Sequence, residues 1–152
     1  MLFRSRALRL LATTVTRRDL NGAFLGTEEN TYSAIDAHGN AGKLLCVLKD
    51  AAGTAIRSST VTNTYTNIEG ASWLIGLLDA SETRTEVPLA TPSSAITRRV
   101  TYAYDPATGR KLRESLIDPA SGVVIRQTDS GVAPDGTTLL DAFGQKIGRA
   151  HV

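Results

Sequence analysis

The chain is poor in most of the residues from which chemical sites are built. Among its 152 residues there is one cysteine, one tryptophan, two histidines, three phenylalanines and four tyrosines. The lone Cys46 excludes an intrachain disulfide and a cysteine-based metal site, and is expected as a small buried apolar residue. A formal net charge of +2 is too small to mark a nucleic-acid surface. No apolar run is long enough to cross a membrane as a helix. Gly-rich phosphate loops are missing, and Ser72, Ser81 and Ser121 lack the G-x-S-x-G setting of a serine hydrolase. His38 lies beside Gly39 in a turn, where a solvated side chain is expected rather than a metal ligand or general base.

What the chain does have is threonine, glycine and a recurring turn. In Val100–Leu112, Val100, Tyr102 and Tyr104 fall on one strand face, with Thr101 and Ala103 on the other. Asp105 can bond its own turn backbone, Pro106 pre-sets φ, and Gly109 supplies a left-handed position before Arg110 opens a second strand. Asp118-Pro119-Ala120-Ser121-Gly122 nearly duplicates this turn. Further turn signals start at Asp19, Asp36, Asp50, Asp135 and Asp141.

Between the turns the residues read as strands. Leu8–Thr16 could begin as a helix, but its Thr/Val-rich second half favours a strand. Thr31–Ile35, Gly42–Leu48 and Val123–Thr128 are shorter strands, and Ile56–Thr66 is the longest β-type run. Ala71–Leu78 is the most apolar segment and fits either a buried strand or a short turn of helix, with Trp73 expected in the core. Residues 79–95 are polar and hold Pro88 and Pro92, so a long strand and a loop are expected there. Strands at this spacing without helical periodicity predict an all-β fold, an antiparallel meander of hairpins in a quasi-one-dimensional array.

The two ends form a separate pattern. Met1-Leu2-Phe3-Arg4-Ser5 resembles the translation of GTGCTCTTCCGATCT, and Ile147–Val152 that of ATCGGAAGAGCACACGTC, the two strands of one sequencing adapter. Residues 1–5 and 146–152 are therefore expected to be artefactual, and 6–145 to be a fragment of a longer hairpin array. Without Arg4 and Arg149 the 17 basic residues become 15 and balance the 15 acidic ones.

Tyr104-Asp105 with Gly109-Arg110 resembles the tyrosine-aspartate (YD) repeat of RHS proteins, teneurins and the B and C components of bacterial toxin complexes. Asp36, Gly39 and Asn40 resemble its D-x-x-G-N form, as do Asp141 and Gly144, with Ile35 and Leu140 in place of the tyrosine. Tyr32 precedes the first of these copies, and Tyr102 lies two residues before Tyr104. Asn63-Thr64-Tyr65-Thr66-Asn67 followed by Trp73–Leu78, including Gly76, resembles an N-x-Y-x-N…W-L-L-G-R-L stretch of toxin B components and plasmid virulence relatives. Leu77 stands where that pattern has arginine. The resemblance implies an open piece of a β-ribbon shell, in a secreted or exported bacterial protein, enclosing a C-terminal toxin polypeptide. Its partners would be the rest of the shell, the cargo and other toxin-complex subunits. The alternative it implies is an adhesion module contacting carbohydrate or a cell surface.

No enzyme is expected. Paired aspartates could serve glycoside hydrolysis, but nearly all sit in turns where a structural role accounts for them. The turns also lack the alternating oxygen ligands and closing glutamate of a calcium loop. Catalytic, cofactor and metal residues are accordingly expected to be absent. Arg98-Arg99 and Arg110-Lys111 are expected on solvated strand faces.

Overall fold

The computed structural model describes residues 10–70, 73–89 and 94–130. They form eight strands: β1 Ala12–Arg18, β2 Phe24–Ile35, β3 Ala41–Lys49, β4 Ala55–Ile68, β5 Leu74–Val87, β6 Ser94–Tyr104, β7 Lys111–Ile117 and β8 Val124–Asp129. Among the described residues there is no helix. The strands are antiparallel and hydrogen-bonded in sequence order, one open sheet from β1 to β8. The all-β meander expected from the turn spacing is therefore the fold. Leu10 and Leu11 precede β1 without helical structure, so the Thr/Val half of that segment decides it. Ala71–Leu78 resolves as strand from Leu74 on.

The long strand expected in the polar stretch after Asp79 is present: β5 runs unbroken to Val87, and β6 begins at Ser94. Its threonines and serines find cross-strand partners. The Ser59 and Thr85 hydroxyls, for instance, share a hydrogen bond of 3.0 Å.

Contacts gather the chain into two compact units. The first takes in the chain up to Thr62 together with Arg84–Ile96. Its register aligns Tyr32, Leu44 and Val61 across three strands, with Asn30, Cys46 and Ser59 in the next row of the same face. The ion pair Arg17–Glu28 joins β1 to β2, and Lys49 Nζ bonds Glu29 at 2.7 Å between β3 and β2. Gly26 is buried where β2 crosses the end of β3.

The second unit takes in Asn63–Thr83 and the chain from Thr97 on. In it Val100 pairs with Leu116, and Tyr102 with Glu114. Thr101 and Ser115 lie on the opposite face, and Ser115 is 5% exposed, the buried polar residue of the described chain.

Neither unit holds a core of the usual kind. No large described side chain is fully buried. A sheet face normally buries its apolar residues against a second layer. Here Leu25, Phe24, Leu45, Ile96 and Ile125 stay exposed. The apolar residues that do shelter are half-buried.

Two expectations change for this reason. Cys46 is half-buried in its row rather than fully enclosed. Trp73, expected in the core, is 65% exposed. It sits one residue before β5 with φ of 40°, a left-handed backbone that turns its side chain out of the strand alternation beginning at Leu74.

Candidate functional site

The feature that recurs through both units is the aspartate turn. Each described hairpin whose turn is fully defined closes on one: Asp19, Asp36, Asp50, Asp105 and Asp118. They take two forms. In the shorter, D-x-x-G-x, the aspartate N–H donates to the carbonyl four residues on, at 3.0 Å for Asp36 to Asn40, and the glycine N–H donates back to the aspartate carbonyl. The carboxylate Oδ1 accepts from the N–H groups two and four residues ahead. For Asp36 these are His38 and Asn40, both at 2.9 Å; Asp19 and Asp50 repeat the pattern. Asn40 Nδ2 also donates to Asp36 Oδ2, which explains the asparagine of the D-x-x-G-N form.

In the longer form, D-P-A-[TS]-G, the proline adds one residue. Gly109 N–H donates to the Asp105 carbonyl and Asp105 N–H to the Arg110 carbonyl, at 2.8 and 2.9 Å. Asp105 Oδ1 accepts from Ala107 N–H at 2.8 Å and from Thr108 N–H at 3.3 Å. Asp118 accepts from Ala120 N–H and from the Ser121 hydroxyl. Proline fits because its position needs no donor and its φ suits the turn. Gly39 and Gly109, at φ of 93° and 68°, close the two forms with the positive φ that favours glycine.

The electrostatics match a capping role. Backbone N–H donation from Ala107 holds the Asp105 carboxyl below its ordinary pKa, and the Ser121 hydroxyl does the same at Asp118. A general acid needs the opposite shift. Each described turn aspartate is bonded within its own turn. Among the described residues no group of three or more His, Cys, Asp and Glu side chains could hold a metal ion.

The repeat-motif residues fall into place as follows. Tyr32, Asp36, Gly39 and Asn40 form the β2–β3 hairpin and its approach. Tyr102, Tyr104, Asp105, Gly109 and Arg110 form the β6–β7 hairpin. The Tyr104 hydroxyl donates to the Leu78 carbonyl at 3.1 Å, tying the end of β6 to β5, and burial pushes its pKa up. Lys111 Nζ lies 5.6 Å from the centre of the Tyr102 ring and bonds Glu114 at 3.0 Å. Tyr65 is half-buried on β4, where its hydroxyl accepts from Asn63 Nδ2 at 3.2 Å. Gly76 N–H donates to Asn67 Oδ1 at 2.7 Å, across the β4–β5 hairpin. Asp135, Asp141 and Gly144 lie outside the described residues.

Three participants escaped the sequence reading. Asn67 was visible as a motif position, but its bond to Gly76 depends on hairpin register. Leu74 packs against Gly109, whose absent Cβ would lie 3.0 Å from Leu74 Cδ2. Lys111 was read as a solvated base, and only the pairing of Lys111 with Tyr104 brings it to the tyrosines. No family model, characterised protein or solved structure matches the chain.

Proposed function

We propose that the chain is part of the wall of a YD-repeat shell, in an exported bacterial toxin, that encloses a toxin polypeptide and performs no chemistry of its own. The observation that carries this reading is the open sheet: hairpins closed by one repeated aspartate turn, with apolar side chains such as Leu45 and Ile96 exposed and no second layer among the described residues. A wall has this construction, because its inner face meets cargo. The tyrosines support it too. Tyr32, Tyr65, Tyr102 and Tyr104 are half-buried between strands and serve the ladder rather than forming an exposed row.

Dye binding and denaturation test the reading. The purified chain is expected to give a β-type far-UV spectrum, to bind a hydrophobic dye strongly, and to unfold with a shallow urea m-value, because little surface is sequestered. A steep two-state transition without dye binding would refute it, since a covered core would then exist.

The exposed indole of Trp73 favours a second reading, a carbohydrate- or cell-surface-binding module. A glycan array probed with the chain and with Trp73→Ala tests it. Binding lost in the variant supports it, and a silent array removes it.

A further inference from the structure

We infer that the outer edge of β1 is a strand-pairing surface for the β1 strand of a second copy of this chain. Tyr32 N–H donates to the Leu11 carbonyl at 2.8 Å. With the register Ala12↔Thr31 through Arg17↔Gly26, antiparallel alternation turns the peptide groups of Thr13 and Val15 toward β2. The N–H and C=O groups of Ala12, Thr14 and Thr16 then face outward, where the strand order leaves no neighbouring strand among the described residues.

Edges of this kind are normally guarded by lysine, proline or a bulge. From Ala12 to Thr16 β1 has none of these. It carries four consecutive β-branched residues, Thr13, Thr14, Val15 and Thr16, and its register shift comes only at Arg17/Arg18. The opposite edge, β8, carries Arg126 and Asp129 along its short length. Val15 is 51% exposed, and Leu10 and Leu11 beside the strand are 61% and 58% exposed.

β1 is also complementary to itself. A two-fold axis through Val15 sets Val15 against Val15 of the second copy, in a non-hydrogen-bonded pair. Thr14 then faces Thr16 on either side, and their outward peptide groups meet as hydrogen-bonded pairs. Threonine–threonine pairs and a central valine pair are favourable cross-strand combinations, and no like charges oppose one another. The contact is isologous and closes at two chains.

This inference does not rest on the shell reading, whose test concerns the sheet faces and not the edge. Sedimentation equilibrium of the full chain across the micromolar range should show a monomer–dimer equilibrium. Thr14→Pro removes an outward donor without touching the β1–β2 ladder, and should raise the dimer dissociation constant at least about tenfold. Gln127→Pro, the same change on the outer side of β8, should leave it unaltered. Val15→Cys should yield a disulfide-linked dimer on mild oxidation, because the paired Cα atoms fall within disulfide range. Thr14→Cys should link far less, since it faces Thr16, and the wild-type chain with Cys46 is the blank. The Val15→Cys result decides the matter if Thr14→Pro fails to fold. A monomer at every concentration, open-ended growth, loss of the dimer in Gln127→Pro alone, or a dimer that Val15→Cys does not link would each overturn the inference.

Discussion

Replacing Gly26 with alanine probes the tightest backbone approach in the first unit. Gly26 has φ of 143°, and a Cβ built on it would lie 2.1 Å from the Lys49 carbonyl oxygen. Non-bonded contacts to real Cβ atoms stop at 3.0 Å, so β2 and the end of β3 must part by about 0.9 Å. The obstacle is backbone, which cannot swing aside as a side chain would. Parting the strands there stretches the ladder at Thr27↔Lys49 beyond hydrogen-bond range. The costs are about 1–3 kcal/mol for the backbone conformation, about 1–3 kcal/mol for overpacking and about 1 kcal/mol for the bond. The terms overlap, so about 3–5 kcal/mol is the expected total, a large share of a domain's stability. Gly39→Ala is the internal standard. Gly39 has φ of 93° with nothing within 4 Å of its Cβ position, so only the conformational cost of about 1–2 kcal/mol applies. Urea unfolding followed by far-UV circular dichroism, with midpoints compared at constant m, gives both numbers. Equal losses in the two variants would refute the close-approach argument.

Further predictions concern protons, a hydroxyl and the indole. Asp105, Asp118, Asp129 and Glu28 all have lowered pKa values, from Ala107 N–H, the Ser121 hydroxyl, Arg113 and Arg17 respectively. Their contribution is present above the unfolded carboxylate pKa of about 4 and is lost as pH falls through the folded values. Urea midpoints should therefore fall below pH 4, and unchanged midpoints there would contradict the capping role. The Cys46 thiol is pushed up by burial and by the Glu28 carboxylate, so its alkylation should be slower than that of a free thiol, with Glu28→Gln partly restoring the rate. Tyr104→Phe should cost about 0.5–1.5 kcal/mol by removing the bond to Leu78. Trp73 fluorescence should show a solvated emission maximum and ready quenching by iodide, whereas a protected indole would contradict its exposed position.

The turns were the most legible part of this chain because they are local. An aspartate that bonds the N–H groups two to four residues ahead carries its partners with it in sequence. Asp36, Asp105 and Asp118 could thus be assigned a structural role before any strand was placed. Strand existence was legible for a similar reason, since period-two patterning and β-branched residues act over a few positions. The partners of β5 were not: Thr85 meets Ser59, 26 positions away.

What the sequence determined by itself, then, was an all-β meander punctuated by aspartate–glycine turns, because the physics of a turn is complete within five or six residues. Only the tertiary structure decided how the strands meet. Register brought Asn67 to Gly76, Tyr104 to Leu78 and the Lys49 carbonyl against Gly26. It also decided that apolar residues such as Leu45 and Ile96 stay exposed and that Trp73 stands in solvent. Burial is a property of what lies across a face, and patterning within one strand cannot say whether anything does.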